Sequence, residues 1–178
     1  MSLEDLLKNL KKSIPPILCK ESKSSFSYSS REAREVNLKA QEEVVAEYPA
    51  DYCFELEAAY GPGMMSEGGA EAIDRLFDGI DLTGKQILDI GSGMGGVVYH
   101  VAQKGVQHVS GLEINPWMVQ WARANTDQRL KSQVSFALLG KDGLFPFESS
   151  MFDLVYSKGV FTHVPDKNEI FAEINRVL

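Results

Sequence analysis

The chain reads as an α/β protein built on an open parallel sheet. From Glu67 onward, short strand patterns alternate with helix-length patterns. The first strand pattern then runs straight into a glycine-dense turn, Ile87-Leu88-Asp89-Ile90-Gly91-Ser92-Gly93-Met94-Gly95-Gly96. Open sheets of this kind bind ligands beyond the C-terminal ends of their strands, so the turn marks a small-molecule crevice.

The elements follow in order. Leu3, Leu6, Leu7 and Leu10 recur at helical spacing behind Ser2 as a possible cap, which predicts a short amphipathic helix over 2–12, stopped by Pro15-Pro16. A serine-rich stretch, 20–30, reads as a connection, and 31–47 is helix-prone. Pro49, Gly61, Pro62 and Gly63 then break the chain around an aromatic segment holding Tyr48, Tyr52, Phe54 and Tyr60, a candidate lid over the crevice. Beyond Glu67 the patterns predict a helix over 69–79, strand 86–90, helix 95–104, strand 107–112 and helix 116–126, then strands 133–138 and 152–156 and a helix from 167. Two regions result: 1–66, a helical lid and substrate-binding extension, and 67–178, a cofactor-binding domain. The last helix ends at Leu178 with no further strand to cover the fourth strand's outer edge, so the domain is expected to be incomplete or to complete its sheet elsewhere.

Composition narrows the function classes. The 178 residues are 44% hydrophobic, enough for one substantial core, and 18 Lys and Arg stand against 25 Asp and Glu, a formal charge of −7. No basic cluster interleaves with aromatics, which argues against nucleic acid as a partner. Cys19 and Cys53 form neither a disulfide framework nor a zinc spacing, and His100, His108 and His163 are far apart, so no metal is implied. No run of 18 apolar residues and no signal-peptide core is present, which makes the cytoplasm the expected location.

Gly91, Gly93 and Gly96 satisfy a GxGxxG spacing, and the first reading of that spacing is a nicotinamide or flavin dinucleotide. The charge pattern favours another ligand. Asp89, two residues before the first glycine, suits an ammonium better than a pyrophosphate. S-adenosylmethionine carries an ammonium, a sulfonium, a ribose diol and an adenine amine, with no phosphate. Glu113, after the second strand, would accept both ribose hydroxyls, or is an ordinary charged strand end. Asp142 would receive the adenine amine, or belongs to a solvated Lys141-Asp142-Gly143 turn. Ile114 would pack on adenine, or fills the core.

On Leu88 to Gly96 as spelled out above, Gly111-Leu112-Glu113-Ile114, Phe152-Asp153-Leu154-Val155-Tyr156-Ser157 and the terminal Glu173-Ile174-Asn175-Arg176-Val177-Leu178, the sequence resembles the class I S-adenosylmethionine-dependent methyltransferases over 67–178. The resemblance implies a Rossmann-like three-layer fold, carried here through the fourth strand and its following helix. It implies S-adenosylmethionine as cofactor, held by Asp89, Gly91, Ser92, Gly93, Glu113, Ile114, Asp142 and Ser157. Such enzymes usually continue into three more strands.

Tyr60-Gly61-Pro62-Gly63-Met64-Met65-Ser66-Glu67-Gly68-Gly69 and Ser157-Lys158-Gly159-Val160-Phe161-Thr162-His163-Val164 are similar to segments of the phosphoethanolamine N-methyltransferases. In those enzymes a tyrosine before the first domain helix pairs with a histidine after the fourth strand, which this resemblance places at Tyr48 and His163. Gly159 stands where that family has an aspartate. His163 would take a proton from the attacking amine or orient it, and Tyr48 would close over the nucleophile, with Tyr52 a competitor. Arg31, Arg34, Lys39 and Lys158 are the candidate contacts for a phosphorylated acceptor. Three readings stay open: a methyltransferase acting on a small molecule through nitrogen, carbon or oxygen, a noncatalytic adenosyl-ligand module, and a dinucleotide oxidoreductase.

Overall fold

A computed structural model describes residues 30–178, with side chains from residue 35 onward. The helix expected over 2–12, Pro15-Pro16, Cys19, nearly all of the serine-rich stretch and the side chains of Arg31 and Arg34 lie outside the described residues. The helix-prone stretch forms α1 (Ser30–Glu47). The aromatic segment between the breakers is itself a helix, α2 (Ala50–Tyr60), with Pro49 as its N-cap and Gly61 as its C-cap. Proline there acts as a start signal, because its fixed φ of −67° and missing N–H suit the residue just ahead of a helix.

The remaining elements are α3 (Gly69–Leu76), β1 (Gln86–Ile90), α4 (Gly96–Ala102), β2 (His108–Glu113), α5 (Pro116–Asn125), β3 (Val134–Leu138), β4 (Leu154–Ser157) and α6 (Asn168–Val177). Short 3-10 turns at Gln128–Leu130 and Phe161–His163 have no counterpart in the sequence pattern. Asn115 caps α5, its side chain accepting from Trp117 N, with Pro116 in the first turn. Strand β4 starts two residues later than expected because Asp153 turns back on β1: its N–H donates to Gln86 O at 2.8 Å, and its carboxylate accepts from Gln86 N at 2.8 Å.

All strand pairs are parallel, in the order β3-β2-β1-β4. The chain winds outward from β1 through β2 to β3, then crosses back to lay β4 on the other side of β1. That reversal leaves a crevice between the loops after β1 and β4, where ligands of open sheets bind. Alternation along β1 divides the core between the two sheet faces. Ile87 packs with Ile73, Val98 and Val109, while Leu88 and Ile90 pack with Leu112, Phe152 and Val177. Each such side chain, fully buried, contributes about 1.5–3 kcal/mol. This is the α/β Rossmann-like fold of class I methyltransferases, preceded by a helical region. No helix among the described residues is long and apolar enough to cross a membrane.

The N-terminal region is fastened to the sheet domain by a backbone crossing. Gly96 N donates to Gly63 O at 3.1 Å, and Gly63 N donates to Glu57 Oε1 at 2.7 Å. A Cβ at Gly96 would lie 2.4 Å from Gly63 C and 2.6 Å from Pro62 O. Only glycine permits this approach, so Gly96→Ala forces the two segments apart. The expected cost is about 1–3 kcal/mol, seen as a melting temperature lower by roughly 3–10 °C. A variant that melts with the parent would show that the crossing does not hold the segments together.

Candidate active site

The loops after the four strands, the segment before α3 and helix α1 converge on a cavity of about 220 Å³ at the switch point. Its floor is the glycine turn, where Gly91 N and Ser92 N both donate to Leu112 O, at 2.7 and 3.1 Å. Gly91 has φ +78°, and a Cβ there would lie 2.0 Å from Val160 Cγ2, so this glycine is required both by backbone conformation and by space. Asp89, Gly91, Ser92, Gly93, Glu113, Ile114, Asp142, Tyr48 and His163 all border the cavity. Ser157 does not: it lies inside β4, and its hydroxyl donates to Ile90 O at 2.9 Å, bridging the two strands.

Asp89 sits at the C-terminal end of β1, only 3% exposed, and its Oδ2 has no hydrogen-bond partner. Burial pushes its carboxyl up to about 7, and the nearby Glu113 adds to the rise. The Tyr156 hydroxyl, across from Asp89 in the strand register, opposes the rise. No bond of ordinary geometry joins the two groups, for Tyr156 Oη is also without a partner. A buried, unsatisfied carboxylate beside another acid is a place for a cation.

Glu113 is also buried, at 7% exposure, and gathers three main-chain donors. Gly93 N reaches Oε2 at 2.8 Å, while Ile114 N and Asn115 N reach Oε1 at 2.8 and 2.9 Å. Burial raises its carboxyl above the usual range and these three N–H groups oppose the rise. The donors fill three of about four acceptor positions, leaving one in ordinary geometry on Oε2. Ile114 is half-buried against the cavity, whereas Asp142 is exposed at its rim with Oδ1 accepting from Leu144 N at 3.2 Å.

The opposite wall is α1. Asn37, Gln41, Val44 and Tyr48, spaced along one helical stripe and its end, face the cavity. The Tyr48 ring meets His163 edge-on, with centroids 6.3 Å apart and planes at 86°. Tyr52 packs against Tyr48 with centroids 5.9 Å apart, is 44% exposed and does not border the cavity. Burial, then Tyr52, raises the Tyr48 hydroxyl above its ordinary value, so it stays protonated and able to donate. His100 and His108 lie elsewhere, on Asp74 and Ser135.

Two fasteners close this wall that the sequence reading did not find. Asn37 and Asp166 exchange a pair of bonds, Asn37 Nδ2 to Asp166 O and Asp166 N to Asn37 Oδ1, each 3.1 Å, across 129 residues of sequence. Lys158 Nζ donates to Ser66 Oγ at 2.5 Å and Glu67 O at 2.8 Å, joining the loop after β4 to the segment before α3. Nothing local in either sequence segment signals such pairings. Burial lowers the Lys158 ammonium from its usual value and Glu67 opposes that shift. Among the candidate phosphate contacts with described side chains, Lys158 borders the cavity and Lys39 does not, pairing instead with Glu43 at 3.8 Å on the surface of α1.

Comparison with known proteins gives the same class as the fold. Residues 88–178, just over half of the chain, match the methyltransferase domain family model. The chain belongs to that family. Among solved structures, phosphoethanolamine N-methyltransferase 2 of Haemonchus contortus, in complex with S-adenosyl-L-methionine, superposes with a TM-score of 0.68 at 28% identity, over 78% of this chain and 33% of that one. Among curated proteins, phosphoethanolamine N-methyltransferase 1 of Zea mays is 29% identical, over 70% of this chain and 25% of its own length. The 24-methylenesterol C-methyltransferase 2 of Arabidopsis thaliana is 34% identical over 53% of this chain and 26% of its own. The chain thus spans about a quarter of the length of these curated relatives.

The elevated Asp89 carboxyl fixes a pH dependence of stability. Below about pH 4 Asp89 is protonated both folded and unfolded, so its burial carries no charge penalty. Between about 4 and 7 the unfolded chain ionises while the folded chain keeps its proton, and stability falls as pH rises. Above about 7 both are ionised and this contribution is flat at its lowest. Melting temperatures of the parent and Asp89→Asn, measured from pH 4 to 8 without ligand, should therefore diverge in the variant's favour up to about pH 7 and then run parallel. A constant difference across the range would contradict the elevated Asp89 value.

Proposed function

We propose that the protein transfers the methyl group of S-adenosylmethionine to a small-molecule amine such as phosphoethanolamine. The observation that carries this is the juxtaposition of two kinds of group on one cavity: the buried, unpartnered Asp89 with Glu113 on one side, and the Tyr48–His163 pair on the other. The cofactor fits the residues present, because the orphaned Asp89 Oδ2 suits its ammonium and Gly91, Ser92 and Gly93 line the cavity beside it. The same carboxylates disfavour a pyrophosphate, which sets the dinucleotide reading aside. Similarity to phosphoethanolamine N-methyltransferases supports the choice of acceptor.

When bound, the cofactor supplies a methyl group on a positively charged sulfur, an excellent leaving group. The protein's own part is to bind, align and dehydrate. Asp89 would hold the ammonium, the free position on Glu113 Oε2 would take a ribose hydroxyl, Ile114 would cover adenine, and Asp142 at the rim would accept the adenine amine. Gly91, Ser92 and Gly93 would hold the methionine portion. An ammonium acceptor must lose a proton before its lone pair can attack. His163 takes that proton, and the Tyr48 ring packed on His163 fixes its orientation. Helix α1 and the Asn37–Asp166 bonds keep water out. Lys158, by exchanging Ser66 for a phosphate oxygen, supplies positive charge to the acceptor. In this division 1–66 is the lid and acceptor-binding extension, 67–178 holds the cofactor, and the protein works in the cytoplasm.

Transfer to carbon is the second reading, favoured by the similarity to a sterol C-methyltransferase and by apolar cavity residues such as Leu38, Val44 and Val164. An acceptor screen with labelled S-adenosylmethionine separates the two.

Calorimetric titration with S-adenosylhomocysteine should give saturable binding, with none for NADH. Glu113→Ala should weaken that binding about 10–100-fold, the worth of a hydrogen bond to a charged group. Equal affinity in the two proteins would remove Glu113 from the cofactor site. His163→Ala should keep the affinity and lower amine methylation by about 100-fold or more, and unimpaired transfer would remove His163 from the reaction.

A further inference from the structure

Tyr48 occupies the elbow between α1 and α2, where its N–H still donates to Val45 O at 3.4 Å but its carbonyl receives no main-chain donor. The following residue is proline and offers no N–H, and α2 begins its own bonding from Pro49 O, which receives Cys53 N at 3.1 Å. The Tyr48 carbonyl is instead held by two side chains. Trp117 Nε1 donates to it at 3.3 Å, and Cys53 Sγ approaches at 3.7 Å. Trp117 is fixed in turn. Its main-chain N–H donates to Asn115 Oδ1 at 3.2 Å, and its ring packs on Phe54 of α2 with centroids 6.2 Å apart. Asn115 N donates to Glu113 Oε1. A continuous line of bonds therefore runs from the Glu113 carboxylate through the start of α5 to the carbonyl of the residue whose ring meets His163.

We infer that Trp117 is a positioning residue: by gripping the Tyr48 carbonyl it holds the Tyr48 ring over His163, and so sets acceptor turnover without taking part in cofactor binding. This rests on the reading of Tyr48 and His163 as the acceptor-side pair. Trp117 does not border the cavity, which separates its role from that of the binding residues. Its hydrogen bond acts on one dihedral elbow, and small displacements there move the ring relative to the reacting atoms, the kind of misplacement to which aligned reactions are sensitive.

Trp117→Phe retains an aromatic ring against Phe54 and removes the donor. With S-adenosylmethionine and phosphoethanolamine, kcat/KM should fall about 5-fold, the worth of one ordinary hydrogen bond, while S-adenosylhomocysteine affinity stays within about twofold. The decisive comparison is with Tyr48→Ala, which keeps the carbonyl and deletes the ring. If Trp117 acts through that ring, the double variant is no slower than Tyr48→Ala alone. An added loss of about 5-fold in the double variant, or a weakened S-adenosylhomocysteine affinity in Trp117→Phe, overturns the proposal by giving Trp117 a merely structural role.

A measurement on the parent guards against a variant that folds poorly. The chain has two tryptophans, Trp117 and Trp121, so Trp121→Phe assigns both indole N–H resonances. The Trp117 indole proton should be protected from exchange with solvent, and exchange at the rate of free tryptophan overturns the bond to Tyr48. Should the parent methylate no acceptor, the proposed function fails and the catalytic role of Trp117 with it. Should the parent methylate normally and Trp117→Phe do the same, only the positioning role fails.

Discussion

Everything at the switch point depends on one buried carboxylate. Glu113 ends β2 and takes N–H groups from the glycine turn after β1 and from the first residues leading into α5. Without an acceptor, these buried main-chain donors would each cost about 1–3 kcal/mol. The side chain thus shapes two loops at once, and the ligand-facing conformation of each is tied to the other. Burial works against the charge that makes this possible and raises the carboxyl, and the three donors offset part of that rise. In the proposed function, a ligand hydroxyl arriving at Oε2 completes a shell that is already most of the way assembled.

Asp89, on the neighbouring strand, has the opposite character. It is as deeply placed as Glu113 but lacks comparable donors, and its Oδ2 is left without a partner. The two acids divide the work of the crevice: one is satisfied by the protein and organises it, the other is left for a cation from outside. An apolar residue at 89 would pack more favourably, so the acid is not explained by what it stabilises, in keeping with the proposed binding of a cation there.

The parts legible in sequence were those written locally. Strand β1 follows its apolar pattern residue for residue, and the helices depart from their patterns by a few residues at the ends, where turns such as 77–79 cut them short. The glycine turn declares itself because positive φ and close approach leave few alternatives to glycine. Side-chain direction at strand ends was not legible. Ser157 falls within β4 once that strand is shifted by the Asp153 turn, and its hydroxyl goes to Ile90 rather than to the cavity. Which of Tyr48 and Tyr52 borders the cavity depends on where α2 begins, and Pro49 is a start of that helix rather than a break. Asn37–Asp166 and Lys158–Ser66 join segments 129 and 92 residues apart through ordinary polar side chains, and no periodicity encodes them.

The sheet order also dictates a sequence of events in folding. Strands β1, β2 and β3 are neighbours both along the chain and in the sheet, so they can pair through short loops as soon as each crossover helix forms. Strand β4 must return across the whole unit to reach β1, closing a loop of 67 residues between Ile90 and Ser157, which loop-closure entropy places late. Until it arrives, Gly91 has no Val160 against it and α1 has no Asp166 to grasp. The crevice is therefore the seam where the fourth described strand joins the first, and an interruption before that pairing erases the site before it touches the first three strands.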